Sequence, residues 1–576
     1  MSTRPLSRPL VPHRAGSIAT DVLILGLGLA VFWGILSAGR AWLGPFTPAP
    51  PLSTSPRALP LYTAYSLLRI GAAYALSLVF AVGYGYVAAY HRGAERILIP
   101  LLDVLQSIPV LSFLPGVMLA MVALSPHRQL GVELGAILLI FTGQVWNMAF
   151  SFYASIKGMP EDLREVASAC RFGAWQRFVR LEMPCSARGL VWNSMMSVAG
   201  GWFFLMACEM FVLGHRDFRL PGLGSYLETA AGAGDLRGIL WGLAAMVGAI
   251  VLLDQLAWRP VLAWAEKFKL EQVEAAEVKH SAVLDLLRRS RLVPLLSRTF
   301  LAPLRGRLSL RLARRAARPE RPAPPGPLRI WTVRVLAAVL LAIVAWAAVR
   351  AVATLLTLKG PDALTILRGA GATFLRVNAA LLLGALWTVP VGVAVGSSPR
   401  LARVAQPLAQ IAASVPATAL FPVLLLALVR AGGGLGIGSI LLMLLGTQWY
   451  VLFNVIAGAS AIPTDLEEAA LTFRFGRIQR WRLLVLPGIF PHLITGLVTA
   501  SGGAWNASIV AEYFHFRGKI LSTTGLGATI SQATDAGNYA MLLGSTVVMA
   551  AIVITVNRVV WRPLYALAGT RFTMDA

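Results

Sequence analysis

Negative charge is scarce in this sequence. Asp and Glu number 26 against 51 Lys and Arg, and charged residues together make up 13% of the 576 residues, about half the share in a soluble domain. Cysteine is scarcer still. Cys170, Cys185 and Cys208 show no CxxC spacing and no histidine cluster beside them, which argues against a disulfide framework or a structural zinc site. No G-x-x-x-x-G-K-[ST] phosphate loop occurs, so the chain is not expected to bind ATP in that way, and no cofactor is expected. There is no HExxH, no hydrolase elbow and no clustered acid pair, and the seven histidines are scattered. An intramembrane enzyme therefore finds no support, and no metal or catalytic residue is expected. What is plentiful is apolar surface: 57% of residues are hydrophobic and the mean hydropathy is +0.69. The reading is an all-α polytopic membrane protein. Its basic excess belongs to loops beside the bilayer rather than to nucleic-acid binding.

Windows of about 20 apolar residues mark membrane spans. They fall near 19–41, 64–90, 97–123, 130–156, 187–213 and 236–258, then near 330–356, 370–396, 402–430, 434–460, 489–513 and 538–562. That predicts about twelve helices in two sets of six. The third of each set carries paired prolines (Pro109 and Pro115; Pro416 and Pro422) and is expected to be kinked or broken. Basic residues gather in the N-terminal tail, in alternate loops and after the sixth span, which places both termini and the central linker on the cytoplasmic side. The first apolar run is longer than a signal-peptide core and is read as a retained span.

The two sets repeat. Leu68-Arg69 recurs as Leu375-Arg376, Pro109 as Pro416 and Pro115 as Pro422, 307 residues on. Farther along the offset is 303: Pro160 and Pro463, Arg171-Phe172-Gly173 and Arg474-Phe475-Gly476, Glu209 and Glu512, Trp258-Arg259-Pro260 and Trp561-Arg562-Pro563. Each half has an even number of spans, so the copies share one orientation about an axis along the membrane normal, with a path between them. The expected divisions are 1–60 (tail and first span), 61–262 (first domain), 263–328 (cytoplasmic linker), 329–365 (seventh span) and 366–576 (second domain). The linker is basic and ends in a proline-rich tether, Arg318 to Pro327.

The fourth loop of each half is the most informative. One copy runs from Glu165 through Val166, Ala167, Arg171 and Gly173 to Pro184. The other runs from Glu468 through Ala469, Ala470, Arg474 and Gly476 to Pro487. Small residues after the glutamate suit a short helix packed closely against a partner, and the glycine is expected to permit a turn into a second helix. A helix–turn–helix knob is thus expected in the cytoplasm twice.

These loops resemble the EAA loop of binding-protein-dependent ABC importer permeases, whose pattern is Glu-Ala-Ala, three residues, Gly, nine residues, then Ile-x-Leu-Pro. The Glu-to-Pro distance agrees in both copies. Both depart at one place: Arg171 and Arg474 stand where the family has glycine. The resemblance implies a type I importer-like permease whose loops are coupling helices for two ABC ATPase subunits. It also implies a periplasmic or lipid-anchored binding protein that delivers solute, and a bacterial inner-membrane location.

Two acids lie in the fifth spans. Glu209 follows Trp202, Glu512 follows Trp505, and each precedes a Gly-Leu-Gly (Gly222 and Gly224; Gly525 and Gly527). A carboxylate at that depth costs a few kcal/mol unless paired. Either it lines or gates the path, or it accepts hydrogen bonds from a re-entrant segment behind it; the second is favoured. Gln144 and Gln448 match in the fourth spans and either line the path or bridge helices. Arg69 and Arg376 recur near the ends of the second spans and are expected to snorkel. The Trp-to-Glu run with its Gly-Leu-Gly is similar to permeases of the nitrate, taurine and sulfonate branch, which implies a small anion such as nitrate, a sulfonate or bicarbonate. The alternative is a secondary transporter of duplicated six-helix halves. Such carriers concentrate charge at the midplane, whereas the strongest repeat here lies in loops.

Overall fold

The computed structural model describes residues 52–107, 109–125, 128–170, 172–213, 216–268, 299, 306, 327–430, 434–516 and 519–571. The expected first span and nearly all of the linker lie outside the described residues.

Among the described residues, eight helices are long and apolar enough to cross a membrane, not twelve. Four belong to the first half: α1 (Leu59–Tyr90), α4 (Arg128–Lys157), α6 (Met183–Glu209) and α8 (Leu236–Leu253). Between them lie α2 (Arg92–Ser107), α3 (Leu114–Leu124), the loop helix α5 (Glu161–Ala169) and the short α7 (Leu223–Ala233). Helix α9 (Pro327–Leu355) leads into the second half. There α10 (Gly360–Gly396), α11 (Pro399–Ser414), α12 (Ala417–Arg430), α13 (Leu435–Ser460), α14 (Thr464–Thr472), α15 (Leu486–Ala511), α16 (Leu526–Asp535) and α17 (Tyr539–Val556) repeat the order of α1 to α8.

Besides the first span, outside the described residues, and the seventh, which is α9, the third span of each set is missing from the count. Both break at the proline. Residues 97–123 divide into charged α2 and the 11-residue α3, and 402–430 into α11 and the 14-residue α12. At 1.5 Å per residue neither short piece reaches across about 30 Å of hydrocarbon. Proline cannot donate the next helical hydrogen bond and pushes its predecessor out of the helical region, so Val415, before Pro416, takes an extended ψ of 116°; Pro109 itself is extended, with ψ of 117°.

Packing in lipid has no hydrophobic drive and rests on close backbone approach. Gly392 and Gly396, four apart on α10, lie against Val455, Ile456 and Ala459 of α13. In the first half Gly85 of α1 meets Phe152 and Ala149 of α4. The halves meet through α6 and α7 against α12, and through Val110–Phe113 against α15. Helix α8 touches α11 and α17 touches α2, a reciprocal pair of contacts across the pseudo-twofold axis. The Val110 amide also donates to Asn506 Oδ1 at 2.7 Å, across the seam.

Two small β-hairpins, absent from the all-α expectation, follow the fifth-span acids. Strand β1 (Val212–Leu213) pairs with β2 (Arg216–Asp217), and β3 (Tyr513–Phe516) with β4 (Lys519–Ser522). Each returns the chain to its own acid: the Leu220 amide donates to the Glu209 carbonyl and the Thr523 amide to that of Glu512.

Candidate functional site

The two knobs are short helices on tight turns. Pro160 and Pro463 precede α5 and α14; a proline there loses no helical donor and stops the preceding helix. Glu165 and Glu468 are exposed, Ala167 and Ala470 are buried, and Ala469 is half-buried. The knob thus buries one alanine in each copy and turns its acid outward. The turn closes through Phe172 N–H to Ala167 O and Phe475 N–H to Ala470 O, both 2.9 Å. Chain direction then reverses into Ala174–Arg177 and Arg477–Arg480. One wide helical turn follows in each copy before α6 and α15 begin, with Pro184 and Pro487 in their first turns.

The expectation that glycine makes the turn is corrected by the backbone. Gly173 and Gly476 have φ of −64° and −65°, which any residue adopts. They cap the following helix, their amides donating to Gln176 and Gln479. The left-handed residue is Arg474, with φ of 50°. It occupies the family's glycine position and bears the Cβ crowding that glycine avoids, about 1 kcal/mol. Arg171 lies outside the described residues.

The two knobs are braced differently. In the first, Arg177 donates to Glu182 Oε1 at 2.7 Å and lies over the Tyr90 ring, and the Tyr90 hydroxyl donates to the same Glu182 oxygen. In the second, Arg480 reaches Glu467 of α14 at 3.1 Å, and Val485 takes the place of Glu182.

Away from the knobs each half contains a buried ionic knot. Glu209 accepts from Ser66 Oγ at 2.7 Å, Arg69 Nη1 at 2.8 Å and the Gly224 amide at 2.8 Å. Glu512 accepts from Thr373 Oγ1 at 2.8 Å, Arg376 Nη1 at 2.9 Å and the Gly527 amide at 2.9 Å. The hydroxyls also accept from the Leu223 and Leu526 amides. Each carboxylate therefore sits at the N-terminus of a short helix, α7 or α16, where free amides and the helix dipole favour negative charge. Gly222 and Gly525 stand where a methyl group would overlap these carboxylates.

Arg69 and Arg376 do not snorkel. Arg69 is 1% exposed and Arg376 has 15% of its side chain exposed, because leaving the acid for the headgroups would strand a charge in hydrocarbon. Arg69 also holds Glu133 of α4 with two bonds, 2.6 and 2.8 Å. The second half has Gly436 at the matching place, 303 residues on, and there Arg376 turns to Thr523 Oγ1 and Thr524 O. Glu133, Ser66 and Thr373 were missed by the sequence reading. The two hydroxyls were findable, since each stands three residues before a repeated arginine. Glu133 has no repeat and gave no such signal.

The remaining candidates divide. Trp202 and Trp505 lie in the apolar core at 1% and 2% exposure. Gln448 accepts from Trp387 Nε1 at 3.1 Å, which ties α13 to α10. Gln144 is fully buried against Gly201, and neither of its amide atoms has a hydrogen-bond partner among the described residues.

Comparison with known proteins matches both halves to one family. The family of binding-protein-dependent transport system inner membrane components matches residues 81–256 and again 380–562. The taurine transport system permease protein TauC of Escherichia coli (strain K12) is 29% identical over 206 residues, which are 35% of this chain and 68% of the relative. The nitrate import permease protein NrtB of Leptolyngbya laminosa is 23% identical, over 33% of this chain and 64% of the relative. The bicarbonate transport system permease protein CmpB of Synechococcus elongatus is 28% identical, over 24% of this chain and 49% of the relative. The matched stretches thus span between half and two thirds of these relatives. The chain belongs to the family of binding-protein-dependent transport inner membrane components, the non-catalytic permeases of ABC importers, and carries the family's domain twice.

Proposed function

We propose that the two domains, 61–262 and 366–576, form between them the path by which a small anion enters the cell. The single observation that carries the reading is the recurrence of an exposed, acid-tipped knob helix in each of two family domains. A short helix held at both ends moves as a rigid body with the spans behind it and can pass a movement from one subunit to another. Two ABC ATPase subunits dock on the loops Glu165–Pro184 and Glu468–Pro487, with Glu165 and Glu468 at the contact. A binding protein, periplasmic or lipid-anchored, presents solute at the opposite face. Both termini and the linker 263–328 then lie in the cytoplasm, as the basic loops require. The segments 1–60 and 329–365 precede the two domains.

Taurine, nitrate and bicarbonate, named in three relatives, share a small size and negative oxygens. We take the solute to be an oxyanion of that class. Glu209 and Glu512 are read as bolts that fix the re-entrant helices, since their oxygens already accept three partners each and a bare carboxylate would repel an anion. Gln144, neutral and without a partner among the described residues, is the better candidate for the path.

The test is affinity purification from native membranes, with mass spectrometry of what co-purifies. Wild type is compared with a Glu165→Arg, Glu468→Arg double variant. The expected result is a phosphate-loop ATPase with wild type that is lost with the variant. A folded protein with no ATPase in either sample would overturn the assignment.

A further inference from the structure

An apolar groove of about 810 Å³ runs down the lipid-facing side of the first half, between the start of α1 and the length of α8. Leu59, Pro60 and Leu67 form one wall; Trp241, Gly248 and Leu252 form the other. Trp241 and Leu252 are each more than half exposed. The same place in the second half is filled among the described residues. There α9 packs against α17, and the space beside Gly544 is taken by Leu355 at the end of α9, Leu358 just after it, and Ile366 of α10. The repeat converts these positions directly. Gly544 corresponds to Trp241, 303 residues earlier, and Ile366 to Leu59, 307 residues earlier. Both first-half counterparts line the groove. Those of Leu355 and Leu358 precede residue 52, outside the described residues.

We propose that this groove is the seat of the chain's own apolar segment, residues 19–41, which lies along α8 as α9 lies along α17. The fit is physical as well as positional. The segment holds 23 residues, about 34 Å as a helix, and the groove follows α8 from Trp241 to Ala257, about 24 Å. Gly26, Ala30, Gly34 and Ala38 recur every fourth residue in the segment, so they would share one face of a helix. The α8 wall offers Ala244 with Gly248 and Ala245 with Ala249 at the same spacing. Small residues on both surfaces allow the close approach that helix association in lipid depends on. In the second half the end of α9, at Leu355, lies beside Gly544 near the start of α17, so the segment, packed alike, runs antiparallel to α8, and residues 42–55 connect it to the start of α1. Its Ser37 end then lies beside Trp241 and its Leu25 end beside Leu252.

Paired cysteines in the full chain, oxidised in native membranes and read by mass spectrometry of linked peptides, test this register. Trp241→Cys with Ser37→Cys, and Leu252→Cys with Leu25→Cys, are expected to give a disulfide within one chain. The mismatched pair Trp241→Cys with Leu25→Cys is expected to give none. Gly544→Cys with Leu358→Cys, in the second half, is the reference pair and reports that the fold is intact. Linkage only between isotopically distinct copies would mean that a second chain fills the groove, and would overturn the proposal. Linkage of the reference pair alone would mean that lipid fills it, and would overturn the proposal equally.

Discussion

Among the described residues Arg69 alone pairs with two buried carboxylates, and its removal should be more damaging than removal of its counterpart. In Arg69→Met, Glu133 and Glu209 lose their shared partner while both are almost wholly buried. Breaking a buried pair from one side costs about 3–5 kcal/mol. Protonation sets a ceiling: neutralising a carboxyl of ordinary pKa at pH 7 costs about 3.7 kcal/mol, at about 1.36 kcal/mol per pH unit. Two stranded carboxyls therefore bound the loss near 7 kcal/mol, against near 4 kcal/mol for Arg376→Met, which strands Glu512 alone. The same arithmetic gives a pH signature. Lowering the pH from 7 to 5 reduces the neutralisation cost by about 2.7 kcal/mol per carboxyl, so Arg69→Met should recover about twice as much as Arg376→Met. Glu133→Gln leaves Arg69 paired with Glu209, as Arg376 is with Glu512, and should be mild. The assay is thermal unfolding in detergent at both pH values, followed by size-exclusion fluorescence. An Arg69→Met protein no less stable than Arg376→Met, or one that gains nothing at pH 5, would refute the two-carboxylate reasoning.

Three further outcomes are expected. Gly222→Ala and Gly525→Ala each drive a methyl group into a buried carboxylate and should lower stability by about 1–3 kcal/mol, whereas Gly502→Ala, with open space around it, should be neutral in the same thermal assay. Arg474→Gly removes a Cβ from a left-handed residue and should stabilise the second knob by about 1 kcal/mol, seen as slower amide exchange over residues 470–480. Glu95 is held below the usual glutamate range by hydrogen bonds from Lys157 and Tyr153. Its contribution is therefore present above the usual glutamate pKa and lost as pH falls through the lowered folded value, so Glu95→Gln should be less stable than wild type at neutral pH and converge with it at acid pH, flattening the acid limb of the stability profile.

The features legible in advance were those that repeat. Offsets of 307 and 303 residues exposed the duplication, the knob helices and the proline breaks, because each rests on local chemistry that one stretch of chain displays whole. The ion pairs were hidden for the opposite reason. Arg69 and Glu209 are 140 residues apart, and each alone looked like a different thing, a snorkelling cation and a costly acid. Only the packing of α1 on α6 makes them one object. Glu133 lacked even a repeated partner to mark it. The third spans look whole because hydropathy averages through a broken helix: α2 with α3, and α11 with α12, read as single apolar windows although a proline divides each. The glycine of the knob misled because Gly173 and Gly476 cap helices, while the strained φ falls two residues earlier, on an arginine.

The central claim is ATP-driven passage between the two halves, and the most direct measurement is uptake. The chain, purified with its ATPase, is reconstituted in proteoliposomes with its binding protein and labelled nitrate, taurine or bicarbonate. The account predicts uptake of one of these anions that requires ATP on the knob side and the binding protein on the other, and that is lost in the Glu165→Arg, Glu468→Arg variant. Uptake that proceeds without ATP, driven by an ion gradient and indifferent to the knob substitutions, would contradict it.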